Sequence, residues 1–224
     1  MNKALALAAP LALAGLLPGC ISFGAKPPPA LLTLRATAEP PVGQRQVAAV
    51  DTGTTRSTLS LGGQPVATVT NGAVAAGGNS ITVQTLSAPQ EIATVRVPVQ
   101  ATPTTVAYIK NAQWVELPQR AFARLLGDTL SARTGRLVLS PSQSFQTGAA
   151  QLTGELRRFG IDAATNSAVV VFDASLVRGD GRGIEKQRFE ASAPVAAIDA
   201  SNAGVGLNAA ANQVAAQVAD WVGR

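Results

Sequence analysis

The spacing of hydrophobic residues in this 224-residue chain changes at Pro118, and this change limits the possible folds more than any other feature. Before it, three β-branched segments, residues 80–87, 92–99 and 104–110, are separated by Pro or short polar links, which is typical of strands. After it, apolar residues recur at spacings of three and four as far as Gly135, which predicts an amphipathic helix. A helix with one apolar face requires a sheet or another helix to cover it.

A second set of strands and a second helix follow. Residues 136–140 predict one further strand, and an antiparallel meander is predicted over residues 150–163, 167–179 and 184–192. The link between its last two strands, "RGDGRG", has the glycines of a hairpin turn. An apolar stripe then predicts a C-terminal helix from about 203 to 222; its members are Leu207, Ala211, Val214, Val218 and Trp221.

Together these segments predict an α+β fold (an α/β sandwich), with a mixed, mainly antiparallel sheet and two long helices packed on one face. Residues 30–224 would form a single domain, whose first strand is predicted over residues 30–36. The Gly/Thr-rich stretch at about 40–80 is either a β-hairpin excursion, with short strands near 58–61 and 66–69, or a flexible insertion.

The N-terminal segment predicts export and attachment to a membrane. After Lys3 the apolar run is too short to span a bilayer, so residues 1–19 have the form of a secretory signal peptide. The run ends in Leu-Pro-Gly-Cys, which resembles the lipobox of bacterial lipoproteins and implies that Cys20, the only cysteine, is lipidated, for example with palmitate. The alternative is an ordinary signal peptide cut elsewhere, which would leave a free cysteine.

The residues around Cys20 also predict where the domain would be held. Two or more acyl chains anchor a protein stably. Ile21 stands where lipoproteins retained at the inner membrane usually have Asp, which favours the periplasmic face of the outer membrane over the inner membrane. Residues 20–29 form a tether whose Lys-Pro-Pro-Pro stretch favours extended polyproline and would act as a short spacer.

The composition excludes most catalytic chemistry. The chain has no histidine, which rules out imidazole general bases, histidine-containing triads and imidazole metal ligands. Four carboxylates on the meander, Glu155, Asp173, Glu185 and Glu190, are explained by alternation as residues of a solvated sheet face. We therefore expect no enzyme activity, no metal and no cofactor. The net charge of +5 is spread along the chain, so we expect no nucleic-acid partner.

Residues 95–139 resemble a known family. They contain a Val-Pro strand, a tyrosine strand, Trp114-Val115-Glu116 before a proline, then the amphipathic helix and a strand. Trp114 and Glu116 match the Trp-x-Glu signature of the ABC-type transport auxiliary lipoprotein family, which includes the paraquat-inducible protein C-like lipoproteins. The chain is similar to that family over most of its mature length, although the 40–80 stretch is longer than the family pattern.

The resemblance implies a function and partners. Such lipoproteins assist ABC-type systems that move phospholipids or related molecules between the two membranes, with a permease and an ATPase in the inner membrane and an MCE-domain protein in the periplasm. The chain would dock the MCE-domain protein, either as a monomer or as a homo-oligomer. Trp114 and Glu116 would bind the partner, with Trp114 as an exposed docking anchor; the alternative for Trp114 is a core residue under the helix start. The rival interpretation is an envelope structural or assembly lipoprotein that binds an outer-membrane barrel, lipopolysaccharide or peptidoglycan.

Overall fold

A computed structural model describes residues 30–38, 80–143, 149–179 and 183–223 of the chain, and these form seven strands and two helices. The strands are β1 Ser80–Val83, β2 Arg96–Thr102, β3 Thr105–Gln113, β4 Leu137–Leu139, β5 Ala150–Asp162, β6 Ser167–Val177 and β7 Ile184–Pro194. The helices are α1 Pro118–Thr134 and α2 Ala200–Val222.

All seven strands form one mixed sheet around β5. One edge of β5 is shared: β1 pairs in parallel with its beginning, and β2 pairs in parallel with its end. The connection between β1 and β2 continues that edge, because Ser87 forms a parallel bridge with Glu155. The other edge of β5 pairs with β6 over its whole length, and β6 pairs with β7. β3 lies outside β2 and β4 outside β1.

Local sequence signals set both ends of α1 and the start of α2. Pro118 occupies the first turn of α1, where its missing N–H costs nothing, and Gly135 ends the helix in the left-handed conformation at φ 66°. At the start of α2, the Asp199 side chain accepts a hydrogen bond from the Asn202 N–H at 2.9 Å. The ends of the two helices are joined by an ion pair between Arg133 and Asp220 at 2.6 Å.

Aromatic pairs fix both helices to the same face of the sheet. Phe172 of β6 and Phe189 of β7 lie directly opposite each other, so their side chains share one face. Phe122 of α1 packs edge-on against Phe172 with 5.3 Å between ring centroids, and Trp221 of α2 lies 5.5 Å from Phe189. The predicted α+β architecture with two helices on one face is therefore confirmed.

The differences from the predictions have local causes. The strand predicted over residues 30–36 is wrong: this segment makes a single parallel bridge, from Leu32 to Trp114, because its later backbone groups bond to side chains of α2 instead. β2 starts four residues later than predicted, because the Ile92 and Ala93 N–H groups donate to Pro89 O and form a turn. The short strands predicted near 58–61 and 66–69 lie outside the described residues.

Candidate functional site

The segment of residues 30–38, which we call the strap, connects the predicted tether to the folded domain. The Leu32 N–H donates to Gln113 O at 2.7 Å, and the Val115 N–H donates to Leu32 O at 2.9 Å. The Leu32 side chain packs against α2 so closely that a Cβ atom on Gly204 would lie 2.8 Å from it. The strap therefore lies between the end of β3 and the N-terminal half of α2.

Two asparagines of α2 hold the later part of the strap. The Arg35 N–H donates to Asn208 Oδ1 at 2.9 Å, and the Thr37 N–H donates to Asn212 Oδ1 at 2.7 Å. Asn212 Nδ2 in turn donates to Arg35 O at 2.8 Å. A side-chain amide has an acceptor oxygen and an NH2 donor, so Asn212 bonds to the backbone on both sides of Ala36. The sequence showed only that these asparagines lie on the polar side of the helix; their spacing of four residues was the available signal that they act together.

Trp114 lies beneath the strap. Its side chain is only 2% exposed, and its ring centroid is 5.4 Å from that of Phe159 in β5. Its indole N–H is buried without a hydrogen-bond partner among the described residues. Of the two positions left open by the sequence, core or exposed anchor, the structure has the core one, because the bridge to Leu32 points the indole ring inward.

Val115 and Leu31, which lie beside Trp114, point toward solvent. Val115 is 61% exposed and Leu31 is 50% exposed, although both are large and apolar. Successive side chains of an extended segment point to opposite sides, so the burial of Trp114 puts its neighbour Val115 on the outer side. In the same way, Leu32 faces α2 and its neighbour Leu31 faces outward. Glu116 follows and forms an ion pair with Arg124 of α1. We call Leu31, Val115 and Glu116 the strap edge.

The face of the sheet opposite the helices contains a second candidate surface. A concave region of about 660 Å³ lies over the middle of β5, β6 and β7 and includes Glu155, Asp173, Lys186 and Arg188. Arg188 donates two hydrogen bonds to Asp173, from Nε at 2.6 Å and from Nη2 at 2.7 Å. Arg157 pairs with Glu155 at 3.3 Å. Opposite charges that pair along β5 and across the strands make this a solvated face of ion pairs.

Two aspartates of the sheet have lowered pKa values. The guanidinium of Arg188 holds the pKa of Asp173 below its ordinary value, mainly by hydrogen bonding. In the same way, Arg158 and two backbone N–H groups lower the pKa of Asp162. A general acid at neutral pH needs a raised pKa, and both of these carboxylates are shifted in the opposite direction. Glu185, at the end of β7, pairs with Arg178 at 2.6 Å.

Metal-binding and membrane-spanning features are missing from the part of the chain that the structure describes. Within residues 30–38, 80–143, 149–179 and 183–223, no three acidic or cysteine side chains are grouped closely enough to hold a metal ion. Neither described helix combines the length and the apolar composition needed to cross a bilayer. Cys20 lies outside the described residues, so the predicted lipid site is not part of this geometry.

The sequence matches the family model of the ABC-type transport auxiliary lipoprotein component over residues 58–219. The chain belongs to this family. The match extends from within the 40–80 stretch almost to the end of α2, and therefore includes Trp114, Glu116 and both helices. Membership associates the chain with an ABC transport system and with the cell envelope. No curated protein matches the sequence.

Solved structures similar to this family member share its fold. Protein XCC0632 from Xanthomonas campestris, of the DUF330 family, is similar with a TM-score of 0.61 at 16% identity, over 86% of this chain and 93% of that one. An uncharacterized protein is similar with a TM-score of 0.57, also at 16% identity, over 64% of this chain and 92% of that one. Identities this low support the fold alone.

Proposed function

We propose that this chain is the membrane-anchored periplasmic auxiliary lipoprotein of an ABC-type system that moves phospholipid or a related molecule between membranes. In this proposal it docks the MCE-domain protein of that system and performs no catalysis. The observation that carries the proposal is the family match over residues 58–219. Hydrogen bonds lower the pKa of Asp162, Asp173 and Asp199, which is the opposite of the shift that a general acid needs.

Attachment begins at Cys20 in this proposal. The thiol receives the lipid, residues 1–19 are removed, and the proline-containing tether sets the distance between the membrane and the domain. The structure supports this arrangement through the strap, which follows the tether and is bonded to β3 and α2. Any pull on the tether is therefore transmitted to the packed core rather than to a loop.

We propose the strap edge as the docking surface for the MCE-domain protein. Exposed valine and leucine side chains beside a charged residue have the composition of an interface centre with a polar rim. Trp114 is a positioning residue in this scheme: its ring packs on Phe159, and its backbone N–H donates to Val95 O at 2.7 Å. Burial keeps Trp114 itself from touching the partner, whereas Val115 and Glu116 are accessible.

The test is a pull-down of the full chain from chemically crosslinked envelopes, comparing Val115→Asp with the unaltered protein. Loss of an MCE-domain protein from the Val115→Asp sample, with an unchanged melting temperature, supports docking at the strap edge. Val106→Asp is the matched control, because Val106 is also exposed but lies at the opposite end of β3. Recovery of an outer-membrane barrel without any MCE-domain protein would contradict the proposed function and favour an envelope assembly role.

A further inference from the structure

Among the strands that the structure describes, β7 lies at an edge of the sheet. It pairs with β6 along all 11 residues, and no other strand of the described chain lies on its second side. Gln217 of α2 donates from Nε2 to Glu190 O at 3.4 Å, so the backbone groups of Glu190 point away from β6. Because backbone direction alternates along a strand, those of Lys186, Arg188 and Ser192 point outward as well. A long row of unpaired backbone groups is a template for another strand.

We propose that β7 pairs antiparallel with β7 of a second copy of this chain. The full-length register brings Ile184 opposite Pro194 of the other copy and is symmetric about Phe189. It places Arg188 opposite Glu190 twice, once on each side of the symmetry axis, and Lys186 opposite Ser192. The pairing thus joins two seven-stranded sheets through two-fold symmetry, which is the commonest symmetry of protein homodimers.

Charge complementarity selects this register. A shift of one copy by two residues in one direction would place Arg188 opposite Arg188, and the same shift in the other direction would place Glu190 opposite Glu190. Like charges directly opposite each other are destabilising in antiparallel pairs, whereas opposite charges are stabilising. Of these three registers, the one that pairs all of β7 is also the one in which no charged residue faces its like.

Arg188 and Glu190 can make the new contacts without losing those that they already have. Arg188 uses Nε and Nη2 for Asp173, which leaves Nη1 to donate to Glu190 of the other copy. Glu190 makes no ion pair among the residues that the structure describes. Pro194 has no N–H to lose, and Ile184, which is 65% exposed, would gain an apolar neighbour in it. The Glu190 carbonyl has two lone pairs, so the contact with Gln217 can persist.

This inference is independent of the proposed transport function, and disulfide crosslinking tests it. In the full chain produced in bacterial envelopes, the double variant Lys186→Cys/Ser192→Cys places cysteines opposite each other across the two-fold axis. Hydrogen-bonded residues of an antiparallel pair have Cα atoms about 5.5 Å apart, which suits a disulfide. Both positions are exposed, so the substitutions leave the core intact. Oxidation is expected to convert the double variant to a dimer on a non-reducing gel.

Three controls make the result specific. The unaltered chain shows how much dimer forms through Cys20 alone. Each single-cysteine variant shows how much dimer forms in a register that brings the same residue of the two copies together. Adding Glu190→Arg to the double variant turns two opposite-charge pairs into like-charge pairs and is expected to lower the dimer yield several-fold. Adding Glu91→Arg, a matched charge change away from β7, is expected to leave the yield unchanged. Dimer at the level of the unaltered chain, equal dimer from a single-cysteine variant, or equal loss with Glu91→Arg would each overturn the proposal.

Discussion

Asn212 and Arg35 lie 177 residues apart in the chain, and a hydrogen bond of 2.8 Å from Asn212 Nδ2 to Arg35 O joins them. Together with the bond from the Thr37 N–H to Asn212 Oδ1, it ties the strap to the C-terminal helix. These bonds hold the N-terminal segment of the described domain against its C-terminal helix. Asn212 therefore helps Asn208 and the backbone bonds of Leu32 to hold the segment that follows the predicted tether.

The first prediction concerns this link. Asn212→Ala removes both bonds to the strap, and we expect the free energy of unfolding to fall by about 1 kcal/mol per hydrogen bond at most. Limited proteolysis should then cut within residues 30–38 sooner than in the unaltered protein. Gln213→Ala, an exposed neighbour on the same helix turn, is the control and should change neither result. Equal protease resistance in the two variants would show that Asn212 does not hold the strap.

A pair of glycines gives the second prediction. A Cβ atom at Gly154 in β5 would lie 2.2 Å from Asp173 O and 2.7 Å from the Phe172 ring, whereas one at Gly127 in α1 would meet only Val138 at 3.4 Å. We expect Gly154→Ala to destabilise the fold by about 3 kcal/mol through overpacking. Gly127→Ala should instead stabilise it by about 0.5–1 kcal/mol, since alanine favours a helix.

Urea denaturation of the two glycine variants measures both effects in one experiment. Opposite signs for the same chemical change would confirm that the backbone of β5 and β6 approaches too closely for any side chain at Gly154. A Gly154→Ala variant as stable as the unaltered protein would contradict this packing.

Trp114 provides the third prediction. Because its ring is buried against Phe159, Trp114→Ala should lower the free energy of unfolding by about 3–5 kcal/mol, as large-to-small core substitutions do. Val115→Ala, next in the chain but exposed, should change it by less than about 0.5 kcal/mol. Thermal and urea unfolding of the two variants provide the comparison. A Trp114→Ala protein that keeps its melting temperature but loses its partner would place the ring in an interface after all.

Fourth, the ion pair on the open sheet face gives a pH dependence. Arg188 lowers the pKa of Asp173 in the folded protein, so the pair stabilises the fold above the ordinary aspartate pKa of about 3.9. That stabilisation is lost as the pH falls through the lower, folded-state value. Arg188→Ala should move the pKa of Asp173 back up, measured by an NMR titration of the carboxyl carbon. Arg120→Ala, on α1 and remote from Asp173, should leave the titration unchanged.

The lipid anchor is the subject of the fifth prediction. In cells fed labelled palmitate, the unaltered chain should incorporate label and sediment with outer-membrane fractions, because in the proposed arrangement acyl chains on Cys20 anchor it there. Cys20→Ser should abolish both. Label that persists in Cys20→Ser would show that another residue is modified. A labelled chain that sediments with the inner membrane would refute only the proposed location.

Much of the fold could be predicted because its elements have strong local signals. The period change at Pro118, the stop at Gly135 and the alternation along β5, β6 and β7 each specify an element from neighbouring residues alone. The pairing of β5 with three other segments could not be predicted in this way. It depends on contacts between residues far apart in sequence, such as Val99 with Ile161, which no local pattern encodes.

For the candidate site as well, some features could be predicted from the sequence and others could not. The sequence by itself determined the α+β class, the two helices, the family signature at Trp114 and Glu116, and a lone cysteine after an apolar run. Only the tertiary structure decided that Trp114 is buried, that residues 30–38 form a strap rather than a strand, and that β7 is an edge strand among the described residues. Local spacing determines which side of an element is apolar, but what covers that side depends on segments that meet only when the chain folds.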